Sequence, residues 1–261
     1  MPAPMTPLAP EVASLLPPGA AVALAEALSR PLSYTARCVL TPLPERRVVV
    51  ILGEAHVKLG LASALGKTLV NCFDLRGVET FQRRQILAGR WLGFLIHAPR
   101  VLLRALSFGL VKDSTIVDAK AIKTGATVEL ERASSVPLPL HAASVYLAAL
   151  FSILYPVALL QLAGVGLPRW LMTLGMAFQL HCYLLLPAYI FRRHPWAWLI
   201  HPGIALVTAR DSLMAAGTVR MLREHPEASS AIVVMGRAHV AGYERELSER
   251  YGFVRGEGGG S

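Results

Sequence analysis

Two stretches of this chain repeat one phrase. Val49-Val-Ile-Leu-Gly53-Glu54-Ala55-His56-Val57 and Ile232-Val-Val-Met-Gly236-Arg237-Ala238-His239-Val240 match in register, each an apolar run leading into Gly-x-Ala-His-Val. A β-branched run makes a strand, glycine permits a sharp turn, and the imidazole is presented at the strand's carboxyl end, where open α/β sheets build ligand sites. A single histidine in such a place is commonly structural. The duplicated context makes His56 and His239 a pair that converges on one site if the two strands are neighbours. Two imidazoles with a nearby carboxylate form a ligand set for a divalent metal, with Zn the default and Mn or Co suited to more oxygen ligands.

Two carboxylates lie within reach of that pair. Glu54 stands two residues before His56, and Glu79 ends a second apolar run, Phe73 to Val78. Either can ligate a metal or act as general base toward a water. A helix expected over Thr80 to Arg90 gives Glu79 a second reading, as a carboxylate stabilised by a helix N-terminus. Arg83 and Arg84 follow one turn later and suit a clamp for a substrate carboxylate. Arg210 and Asp211 interrupt an apolar helical stretch. A buried ion pair there is costly without further partners, so Arg210 reads as facing the site.

The elements that position these residues alternate. Arg47 to Leu52, Phe73 to Val78 and Ala231 to Met235 read as strands, with Gly252 to Arg255 as an edge strand. Helices are expected over Leu59 to Cys72, Thr80 to Arg90, Ala205 to Glu224 (stopped by Pro226) and Tyr243 to Arg250. The fold class expected is α/β, a mostly parallel sheet with flanking helices, interrupted by an inserted transmembrane hairpin.

Composition calls for the hairpin. The 261 residues are 54% hydrophobic and only 16% charged, with a net charge of +9, against about 25% charged in ordinary domains. No acidic residue occurs between Glu131 and Asp211, and between Ala142 and Phe191 the only charge is Arg169. Ala142 to Gly164 and Trp170 to Phe191 each reach the ~20 residues that cross a bilayer as a helix. Lys123, Arg132, Arg192 and Arg193 flank the pair while Arg169 alone sits at the turn, which puts both flanks and the globular halves on the cytoplasmic side. Gln161, Gln179 and His181 then lie within the bilayer and are expected to pair between helices. Trp91 to Val111, carrying Pro99, Arg100 and Arg104, reads equally as an interfacial helix or a core helix, and His194 to Ile204 as an aromatic exit from the bilayer.

The organisation expected is therefore a Pro/Ala-rich then helical segment over 1–46, a first part of the α/β domain over 47–140, the hairpin over 141–193, a second part over 194–255, and a GEGGGS linker over 256–261. Residues 1–18 lack the charged region of a signal peptide, so a cleaved leader is not expected. Cys38, Cys72 and Cys182 do not make a disulfide framework. Gly66-Lys67-Thr68 lacks the upstream glycine of a phosphate loop. Scattered basic residues without an aromatic-basic module give no nucleic-acid partner; anionic lipid accounts for the charge. The partners expected are the lipid bilayer and a peptide or protein substrate, with a homo-oligomer left open.

Gly53-Glu-Ala-His56, Glu79 with Arg83, Thr208-Ala-Arg210-Asp211-Ser-Leu-Met-Ala215, and Val233-Val-Met-Gly236-Arg-Ala-His239-Val-Ala-Gly242 together resemble the TraB/PrgY/TIKI family, which is related in fold to the erythromycin esterase and ChaN-like proteins. The similarity spans about residues 47–90 and 205–253. Family members include bacterial peptide-pheromone shutdown proteins and animal membrane-tethered, metal-dependent proteases. The resemblance implies a GxxH-type metal site with His56, Glu79, Arg210 and His239 as its residues, and metal-dependent hydrolysis, most naturally of a peptide. The hairpin departs from relatives that carry anchors at a terminus. The alternative class is a non-catalytic membrane protein that binds or sequesters a peptide or hydrophobic ligand.

Overall fold

The computed structural model describes residues 10–28, 34–42, 46–54, 58–108, 111–112, 114–132, 135–192, 194 and 196–256. The chain divides into two compact units. The first comprises Met1–Phe81, Leu103–Ala133 and Asp211–Ser261, and the second Gln82–Leu102 and Ser134–Arg210.

In chain order the elements are α1 (Pro10–Leu15), α2 (Ala20–Leu28), β1 (Tyr34–Leu40), β2 (Val48–Glu54), β3 (Lys58–Leu59), α3 (Gly60–Asn71), β4 (Leu75–Val78), α4 (Gly89–Leu106), β5 (Val111–Lys112), α5 (Thr115–Ala121) and β6 (Ala126–Glu129). They continue with α6 (Leu138–Leu162), α7 (Arg169–Tyr183), α8 (Leu185–Ile190), α9 (Ala197–Ile200), a 3-10 turn (Pro202–Ile204), α10 (Ala205–Glu224), β7 (Ser230–Gly236), α11 (Arg237–Tyr251) and β8 (Val254–Arg255).

The first unit is built on a six-stranded sheet in the order β6-β4-β7-β2-β1-β8. β6, β4, β7 and β2 run parallel, while β1 is antiparallel to both β2 and β8. The architecture is thus α/β with a mostly parallel mixed sheet and flanking helices, as the alternating pattern implies. Period-two alternation explains why β2 is buried throughout. Val48, Val50 and Leu52 join the core formed with α2, α3 and α5 on one face, and Val49 and Ile51 join the core formed with α10 and α11 on the other. The two copies of the repeated phrase are neighbours: β2 and β7 pair in parallel from Val48↔Ser230 to Glu54↔Gly236.

Several elements differ from the sequence expectation. The N-terminal segment holds α1 and α2 but then β1, a strand where the expectation is helical; Tyr34, Ala36, Cys38 and Leu40 alternate into one core, Arg37 stands on the other face, and the Cα partners run without a gap from Tyr34↔Glu54 to Leu40↔Val48. Thr80 to Arg90 is not a helix. The backbone turns irregularly until α4 begins at Gly89, and Ala88 sits at φ 45°, in the left-handed region that ends or delays a helix. The helix expected from Tyr243 begins six residues earlier, at Arg237.

In the second unit, α6 is the one helix among the described residues that is long and apolar enough to cross a membrane. Its 24-residue span Leu138–Gln161 has a mean hydropathy of 2.0, and only 28% of its most apolar stretch is buried. The other apolar stretch is divided into α7 and α8 at Leu184. Pro187 accounts for the break, because it lacks the N–H that would bond the Tyr183 carbonyl and its ring crowds that carbonyl. His181 makes an interhelical contact as expected, but an aromatic one: its ring lies edge-on to Tyr146 of α6 and stacks on His201.

Candidate functional site at the carboxyl ends of the central strands

Three parallel strands, β4, β7 and β2, end together, and the residues that follow them define the site. The β4–β7 ladder continues one step past β4, where Glu79 N–H donates to the Val234 carbonyl at 3.0 Å. That bond fixes the Glu79 backbone at the sheet edge, so its side chain, 8% exposed, turns across the end of β7. There Oε2 accepts from the Gly236 N–H at 2.5 Å. No helix follows at Thr80; the helix start that the Glu79 carboxylate meets is that of α11, whose N-cap is Gly236.

His239 is the third residue of α11 and is 4% exposed. Its Nδ1 lies 2.7 Å from Oδ1 of Asp211, a carboxylate on α10 that is itself 3% exposed. Its Nε2 lies 3.6 Å from Glu79 Oε1. Asp211, His239 and Glu79 therefore form a buried carboxylate–imidazole–carboxylate row. Two glycines permit it. A Cβ on Gly242 would stand 1.9 Å from Asp211 Oδ2, and one on Gly53 would stand 2.2 Å from Val240 Cγ2, so α11 can seat against α10 and β2 only with hydrogen at both positions.

Glu54 is fully buried and otherwise engaged. Its Oε1 accepts from the Ser114 hydroxyl and its Oε2 from the Thr115 N–H at 3.1 Å, while Ser114 caps α5 by accepting from Ile116 N–H. It thereby fastens the start of α5 to the end of β2 through the charge-assisted bonds that favour a carboxylate at a helix start.

Of the other sequence candidates, His56 lies outside the described residues. Arg210 is half-buried and directly precedes Asp211 on α10. Arg83 and Arg84 are exposed in the turns before α4, and the Arg83 guanidinium meets the His97 ring. The sequence groups Asp211 with Arg210 as an ion pair; in the structure its carboxylate also orients His239. The signal available in sequence was Gly242, three residues beyond His239, whose absent side chain makes room for that carboxylate.

Among the described residues no group of three or more His, Cys, Asp or Glu side chains is arranged to hold a metal ion. Two donors do converge. His239 Nδ1 is bonded to Asp211, the arrangement that commonly orients a metal-ligating imidazole, and its Nε2 stands 3.6 Å from Glu79 Oε1. Two ligands at ~2.0–2.2 Å from one tetrahedral ion stand about that far apart. The donor set thus fits a divalent ion in part, with a third ligand still to come from the residues around it.

The chain matches no protein-family model, no curated protein and no solved structure.

Proposed function

We propose that this chain is a membrane-anchored, divalent-metal-dependent hydrolase, most naturally a peptidase of the TraB/PrgY/TIKI type. The observation that carries the reading is His239 held at Nδ1 by Asp211 at 2.7 Å, with Nε2 facing Glu79 Oε1 at 3.6 Å. With the ring's one proton on Nδ1, Nε2 and Oε1 would both be free to face a cation between them. His239, Glu79 and, from the repeated phrase, His56 would hold it; Zn, Mn and Co are the candidates. When bound, such an ion supplies Lewis acidity and makes water easier to deprotonate.

The chain's own groups do the rest. Glu79 keeps Oε2 on the Gly236 N–H and so holds Oε1 in one place, where it would either ligate the ion or, with the imidazoles holding the ion, accept a proton from the attacking water. Asp211 keeps His239 in one tautomer and one orientation. From the sequence, Arg83 and Arg84 would clamp a substrate carboxylate, with Arg210 a further catalytic candidate. In this reading α6 and the broken α7–α8 pair cross the bilayer, with the α/β unit on the cytoplasmic side. Trp170, Met176, Leu180, Leu186, Ile190 and Leu199 support it, each about two-thirds exposed on the second unit.

The test is metal analysis of the purified full chain, wild type against His56→Ala, His239→Ala and Glu79→Gln, alongside cleavage of a quenched-fluorescent peptide library with and without chelator. One bound equivalent in the wild type, lost with either histidine, and chelator-sensitive cleavage are expected. Glu79→Gln should abolish cleavage with little change in melting temperature, since the amide oxygen can keep the Gly236 bond. Equal, negligible metal in all four proteins with no cleavage would overturn the proposal in favour of a ligand-binding membrane protein.

A further inference from the structure

The opposite edge of the same sheet carries a second concavity. Arg47 immediately precedes β2, Thr41 and Pro42 leave β1, and Tyr251 and Phe253 lie at the end of α11 and before β8. Together with the last turns of α10 they enclose a cleft of about 520 Å3 within the first unit. Pockets that take small organic ligands fall in the range of about 300–1,000 Å3, apolar in the main with a few fixed polar groups.

The walls have that character. Val219, Leu222, Tyr251 and Phe253 supply an apolar and aromatic surface that is continuous with the core beneath it. Arg47 is fixed as part of the wall, its Nη1 donating to the carbonyls of Leu222 at 2.8 Å and His225 at 3.3 Å. Arg223 is different: it is exposed at the rim and has no carboxylate partner among the described residues. Glu224, next in sequence, and Glu227, one turn on, are both exposed and their charges solvated; the Glu227 carboxyl is held low first by its own backbone N–H and then by His225 and Arg47. An apolar cleft whose rim carries an uncompensated guanidinium selects an anion with an apolar body.

We infer that this cleft binds a small amphipathic carboxylate, with its apolar group against Tyr251 and Phe253 and its carboxylate on Arg223. The site is independent of the hydrolase reading, because none of its residues belongs to the Asp211–His239–Glu79 row.

Saturation-transfer NMR on the full chain in nanodiscs tests it, using 3-phenylpropionate against its amide and the corresponding amine, probes that share the apolar group and differ in the head. The carboxylate should bind severalfold more tightly than either. Because Arg223 is exposed, Arg223→Ala should fold normally and weaken the carboxylate about two- to fivefold, the scale of a solvent-exposed ion pair. Arg223→Lys should recover part of it, Val219→Trp should fill the cleft and abolish binding, and His239→Ala should change nothing. Equal binding of all three probes, or undiminished binding in Arg223→Ala, would overturn the inference.

Discussion

Gly242→Ala puts the geometry of the candidate site to a quantitative test. The added methyl would stand 1.9 Å from Asp211 Oδ2, where ordinary contact begins at 3.4 Å, so one group must retreat by 1.5 Å, the difference. In the middle of α11 the substitution by itself favours the helix by about 0.5–1 kcal/mol. Against that stand overpacking of about 1–3 kcal/mol and weakening of the Asp211–His239 bond, a charge-assisted pair of the ~1.5–3 kcal/mol class. The net expectation is a loss of about 2–4 kcal/mol. In an Asp211→Ala background both opposing effects vanish and only the helix preference remains, so the same substitution should become neutral or slightly stabilising. Native-state hydrogen exchange of the α11 amides reads this local free energy without requiring the two units to unfold together, and imidazole 15N shifts report the His239 tautomer. A destabilisation of equal size in both backgrounds would refute the reasoning, as would a Gly242→Ala protein as stable as wild type with an unchanged His239 tautomer.

Glu54→Gln should cost about 1–2 kcal/mol of stability through the start of α5, measured by urea titration, while leaving the metal content of the purified protein unchanged. Burial pushes the Cys38 thiol from 9.0 up to about 12. Because the unfolded chain then ionises first, stability should hold below pH 9 and fall between pH 9 and 12 by up to about 4 kcal/mol. Cys38→Ala should remove that contribution, leaving a separate decline above pH 10 from the buried Tyr243 hydroxyl, which is also shifted upward. Cysteines introduced at Gly166 and at the C-terminus should label from opposite sides of the membrane, and labelling from the same side would remove the two-span reading.

The parts of the fold legible in the sequence are those where local signal and tertiary demand agree. β2 and β7 are continuous apolar runs because both faces of a central parallel strand are covered, and the repeated Gly-x-Ala-His marks where both end. β1 and β6 left no such trace: Arg37 points a guanidinium toward Glu244 from within β1, and Ala126–Glu129 is too short to show a period. Thr80 to Arg90 has helical composition, yet the chain must first turn away from the sheet edge that Glu79 holds. The length of the Trp170–Phe191 run concealed the break at Pro187, because an apolar count does not register a missing N–H. Within the site, His239 and Glu79 were visible from strand ends alone. Asp211 was not, since its role depends on how closely two helices approach, and that distance is set by a glycine on the other one.

The sheet order has a consequence for biosynthesis. β7 is the strand that joins β2 to β4, and it is made only after all of α6 through α9. During synthesis the β2–β1 and β4–β6 pairs therefore wait with open edges, and exposed edges of apolar strands invite pairing with other chains. A chain interrupted between β6 and β7 would hold every apolar helix and no completed sheet. Newly made copies of this protein should accordingly lean on chaperones until Gly236 has emerged, and premature termination in that interval should produce aggregation and not a partly active fragment.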